Sequence, residues 1–83
     1  MIYLIFTAEG YEEAKDIIQQ DKVDLWVNDD VLSDSQKEQL SSAKINVNIL
    51  PTNANPKNEK SVLAAIQHVE QQSPKTEILV EYL

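Results

Sequence analysis

The chain has 83 residues, with 14 Asp and Glu against seven lysines and one histidine, and a formal net charge of -7. That length holds one domain, residues 1–83, which buries roughly 63% of its unfolded surface; 42% apolar residues is too many for intrinsic disorder. Cysteine and arginine are both absent, which excludes disulfides, thiolate nucleophiles, Cys-ligated zinc and bidentate guanidinium recognition of phosphate.

Residues 2–7 (IYLIFT) form a nearly unbroken apolar and β-branched run, the pattern of a strand covered on both faces. Between residues 9 and 20 the period changes, and Tyr11, Ala14, Ile17 and Ile18 share one side of a wheel turning ~100° per residue. This predicts an amphipathic helix, with Glu9, Glu12 and Glu13 at the positive end of its dipole. Residues 23–27 (VDLWV) alternate, with Val23, Leu25 and Val27 on one face and Asp24 and Trp26 on the other.

Two overlapping capping boxes follow, Ser33 with Gln36 and Ser35 with Glu38. They start a helix whose thin apolar stripe is Leu32, Leu40 and Ala43. Residues 45–50 (INVNIL) read as a third strand that buries Ile45, Val47 and Ile49 and turns Asn46 and Asn48 away. Asn55 followed by Pro56 predicts an N-cap and a first helical position. The helix runs to about Gln72 with Val62, Ala65, Ile66 and Val69 inward, and Pro74 stops it. Residues 76–82 (TEILVEY) close the chain as a fourth strand.

All three connections are long enough for parallel crossovers, which are right-handed in about 98% of cases. The expected fold is therefore α/β: a small three-layer sandwich on a mainly parallel βαβαβαβ sheet. A flavodoxin-like order of 2-1-3-4 puts the first strand inside and the first helix alone on one side. Asp24, Asn28, Asn46, Asn48, Glu77 and Glu81 would then margin the face around Trp26 and Leu79. The alternative is a two-layer, ferredoxin-like α+β fold with residues 29–44 as a long excursion.

An open parallel sheet binds ligands outside the carboxyl ends of its strands. Glu9, Asn28, Asp29, Asp30, Asn53 and Asn55 fall there, a set of carboxylates and amides that suits a small polar ligand or a hard cation such as Mg²⁺. The same residues are ordinary turn formers. Gly10 is the only glycine, so no glycine-rich phosphate loop exists. Glu9-Gly10 after the first strand resembles the Glu-Gly of toprim nuclease and primase domains. Their later acid-x-acid pair would fall on Asn53 and Asn55, both neutral, so that function is not carried over. His68, the sole histidine, has no sequence-placed partner and reads as exposed and idle. Trp26 and Tyr82 near the sheet margins are interface candidates, since such aromatics anchor partners. Lys75, Glu77 and Glu81 would guard an edge strand, which could otherwise pair two copies.

Ten of the carboxylates and four lysines lie in residues 1–50. Such a charge repels nucleic acid and steers toward basic proteins. With no nucleophile–base pair, no basic leader and no apolar run near ~18 residues, the functional expectation is a cytoplasmic, non-catalytic interaction module. It needs no cofactor, avoids membranes and exists as a monomer or homodimer. A ligand- or Mg²⁺-binding domain using the strand-end loops is the alternative.

Overall fold

The computed structural model describes residues 1–81. Seven elements follow one another: β1 (Ile2–Ile5), α1 (Ala8–Asp21), β2 (Asp24–Val27), α2 (Asp34–Ser42), β3 (Val47–Ile49), α3 (Glu59–Gln72) and β4 (Ile78–Val80). All strand pairs are parallel, and β1 lies inside the sheet. The α/β expectation holds, and the ferredoxin-like alternative falls with the absence of any antiparallel pair among the described residues.

The strand order is β3-β2-β1-β4, not 2-1-3-4. The difference changes which helices share a face. Steps from β1 to β2 to β3 run in one direction, so right-handed crossovers put α1 and α2 together. Their core joins Tyr11, Ile18 and Leu40 to Ile5, Leu25 and Val27 of the sheet. The step from β3 to β4 passes back over β2 and β1, so α3, rather than α1, stands alone on the other side. Ala65 and Val69 of α3 pack there on Ile2, Leu4 and Phe6, with Trp26, Ile78 and Val80 around them. The register pairs Leu4 with both Trp26 and Val80 and Tyr3 with Leu79. Trp26 and Leu79 therefore point to opposite faces, because side chains alternate along each strand.

The helix ends show which sequence signals prevailed. Thr7 caps α1, accepting from the Gly10 N–H, and Ser33 caps α2 in the Ser33–Gln36 capping box, so the Ser35–Glu38 box goes unused. α2 ends in a Schellman motif: Lys44 is left-handed at φ 63°, its N–H donates to Ser41 O, and the Ile45 N–H donates to Leu40 O. Ile45 is buried beside Leu40 as part of that cap rather than as a strand residue. α3 starts three residues late, with Asn58 as its N-cap. Asn55 and Pro56 instead open a turn closed by the Asn58 N–H on Asn55 O at 2.9 Å, a role that Asn-Pro serves equally well.

Both sheet edges are short, three residues each. Ile49 is exposed rather than buried, since β3 lies outermost. Among the described residues no helix is long and apolar enough to cross a membrane. Hydrogen exchange separates the two strand orders. Amides throughout β1 and β2, paired on both sides, should exchange slowest, and alternate amides of β3 and β4 should exchange faster. Protection of every β3 amide with fast exchange in β2 would restore the order 2-1-3-4.

Candidate functional site

The strand-end rim is built by three loops, and one side chain from the last strand closes it. β1 ends at Ile5, and its chain turns through Phe6 and Thr7 into α1. β4 lies beside β1, and the ladder continues one step as the Glu81 N–H donates to Leu4 O at 2.9 Å. Beyond that step the Glu81 side chain replaces backbone. Its Oε1 accepts from the Phe6 N–H at 2.9 Å and the Thr7 N–H at 3.1 Å, and its Oε2 accepts from the Thr7 hydroxyl at 2.6 Å. The Thr7 hydroxyl in turn accepts from the Gly10 N–H at 3.1 Å.

This carboxylate sits at the amino end of α1, where unpaired N–H groups and the helix dipole favour negative charge. In an open parallel sheet the same corner, where strand order reverses between β1 and β4, is where an anionic ligand would be received. Here the chain supplies the anion itself. Gly10 makes room for it: a Cβ on Gly10 would overlap the Glu81 carboxylate. The only glycine of the chain therefore serves a close approach.

The second loop is tied down by Asn28, the one polar side chain buried among the described residues. Its amide donates to Phe6 O at 3.1 Å and to Ala54 O at 2.7 Å, and its carbonyl accepts from the Ala54 N–H at 2.7 Å. One side chain thus clasps the ends of β1 and β2 to the loop after β3. Asn53 Oδ1 accepts from the Asp29 N–H at 2.9 Å. Asn55 Oδ1 accepts from the Lys57 N–H at 3.0 Å, while the Asn55 N–H donates to Ser61 Oγ at 2.8 Å. Asn28 and Asn53 are joints between loops, and Asn55 braces the turn in its own loop.

Glu9, Asp29 and Asp30 are exposed. Among the described residues no group of three or more His, Asp or Glu is placed to hold a metal ion. Trp26 is half-buried on the α3 face, with its ring edge-on to His68 at 5.3 Å and 78°. His68 is therefore partly buried against an aromatic ring rather than idle in solvent. Tyr82 lies outside the described residues. Thr7 and Gly10 belong to the segment after β1 that the sequence places at the rim, whereas Glu81, which the sequence pattern assigns to a sheet edge, is the rim residue it does not reveal. One signal was available: a sole glycine three residues after a threonine, inside a helical pattern that disfavours glycine.

Glu81→Ala should cost about 2 kcal/mol, or roughly 10 °C in Tm for a domain of this size. Gly10→Ala should destabilise the wild type by about 1 kcal/mol as the carboxylate is pushed aside. In the Glu81→Ala background its sign should reverse to about 0.5 kcal/mol of stabilisation, because alanine is the better helix former. Equal effects in both backgrounds, read from urea melts, would disprove the contact. Asn28→Asp, which turns two donors into an acceptor facing Phe6 O and Ala54 O, should cost about 3 kcal/mol; a loss below about 1 kcal/mol would show that the clasp matters little. No protein-family model, curated protein or solved structure matches this chain.

Proposed function

We propose that this chain is a non-catalytic interaction module that engages a basic protein through its acidic surface. One contrast carries the reading. The rim's amide side chains and the Glu81 carboxylate are spent on internal hydrogen bonds, while Glu9, Asp29, Asp30 and nearly all the carboxylates beyond them are left to solvent.

Lys15 with Glu12, at 2.8 Å, is the single ion pair among the described residues. The hydrogen bond and charge of Glu12 hold the Lys15 ammonium above its ordinary value. Among the described residues the other carboxylates therefore have no lysine in contact, and the chain carries an excess of seven negative charges. Such a field raises the encounter rate with positively charged partners and fades as salt screens it. The same field disfavours nucleic acid, and the reading takes the protein to act in the cytoplasm, away from membranes. A Mg²⁺ or small-ligand function at the rim has less behind it: Asn28, Asn53 and Asn55 are committed internally, and Glu9, Asp29 and Asp30 form no metal cluster.

The test pairs a ligand screen with a charged probe. Nucleotides, sugar phosphates, Mg²⁺ and Ca²⁺ should leave the melting temperature unchanged. A short oligolysine should bind at about 20 mM salt and be released by about 300 mM. A rise in melting temperature with any screened ligand, accompanied by amide shifts at Glu9, Asp29 and Asn53, would overturn the reading in favour of a ligand-binding domain.

A further inference from the structure

The sheet has two flanks without a helix over them, and they differ in chemistry. On the α3 face the outer strands β2 and β3 carry Asp24, Asn46 and Asn48, and Asn46 Nδ2 donates to Asp24 Oδ1 at 3.3 Å. That flank is suited to water. On the α1 face the outer strand is β4, where an exposed Leu79 stands between Glu77 and Glu81. Leu79 is 41% exposed and Ile17 of α1, beside it, is 48% exposed. Between them runs a groove of about 300 Å³ with Tyr3 and Leu79 at its floor and Ala14 and Ile17 on its wall. Glu81 against Gly10 closes one end.

We propose that this α1–β4 groove receives an amphipathic helix of a partner protein, apolar along one side and rich in lysine or arginine along the other. The inference rests on the interaction reading above and gives it a place and an occupant. Parallel sheets are covered on both faces, almost always by helices. A helix about 10 Å across spans about two strand spacings of ~4.8 Å, so one helix beside α1 would cover β4 and the outer side of β1.

Charge selects which helix. The charged residues lining the groove, Glu13 and Glu81, are both acidic, and no lysine lines it. Glu9 and Asp16 lie one turn to either side of Glu13 along α1, and both are exposed. Glu77 stands two residues before Leu79, on the same side of its strand. Lys15 is turned to Glu12, whose other oxygen accepts from Gln36 of α2, away from the groove. A second copy of this chain would instead set the α1 carboxylates of both copies along one seam, with like charges facing each other.

The experiment titrates the ¹⁵N-labelled full chain with a Leu/Lys amphipathic peptide of about 18 residues, long enough to form a helix. A scrambled peptide of the same composition is the control. Only the patterned peptide should move the amides of Gly10, Glu13, Ile17 and Leu79. Leu79→Thr and Ile17→Gln, both at exposed positions, should each weaken it about tenfold while leaving the scrambled peptide unaffected. Equal binding of both peptides, with shifts spread over the acidic surface, would remove the groove but leave the interaction reading standing. Binding by neither at low salt would remove both. Self-association abolished by Leu79→Thr, or tight binding of an uncharged extended peptide along β4, would overturn the assigned occupant.

Discussion

The Glu81 carboxylate joins the last strand of this chain to its first loop. Three donors from Phe6 and Thr7 converge on it, and the Thr7 hydroxyl passes the contact on to the start of α1. A strand only three residues long at a sheet edge has few ladder bonds to hold it in place. The side chain continues the pairing of β4 where its backbone stops, and it does so where α1 most favours negative charge. The price is a glycine in the first turn of α1. Asn28 performs the equivalent service on the other side of β1, binding Phe6 and Ala54. Between them these two side chains satisfy the N–H and C=O of Phe6, the N–H of Thr7 and both backbone groups of Ala54.

The topology then decides where the remaining chemistry lies. Because β2 and β3 follow β1 in one direction, two helices share one face and a single helix holds the other. Each face consequently has a bare flank, at opposite edges of the sheet. The polar flank over β2 and β3 is stable in water as it stands. The apolar flank over β4 runs beside the acidic side of α1, which brings exposed Leu79 and Ile17 next to unpaired carboxylates. Apolar surface supplies affinity and charge supplies approach. Their adjacency is the feature on which the proposed interaction reading rests.

Local pattern made most of the architecture legible. The doubly apolar IYLIFT run placed β1 inside the sheet, and periodicity found α1, α2 and α3 and their inward residues, from Ile18 and Leu40 to Val69. What pattern could not supply was order. A strand with one polar face, such as β3 with Asn46 and Asn48, fits any position whose second face is thinly covered, and that depends on where α3 comes to lie. Helix α3 began late because Asn-Pro is both a cap and a turn signal, and Asn58 outcompeted it. The rim failed for a related reason. Asn28, Asn53 and Asn55 lie beyond the strand ends, but residue type cannot say whether an amide faces a ligand, a neighbouring loop or its own turn. The local pattern around Glu81 is that of an edge charge, because its partners lie 74 and 75 residues away in the chain.

The claim on which all of this turns is that the rim is closed from within. Scalar couplings transmitted through hydrogen bonds test it without perturbing the chain. In a long-range experiment on the ¹³C,¹⁵N-labelled protein, the amide nitrogens of Phe6 and Thr7 should correlate with the side-chain carboxyl carbon of Glu81. Absence of both correlations, with those two amides exchanging as freely as a solvated loop, would show the carboxylate to be elsewhere and the rim to be open to a ligand.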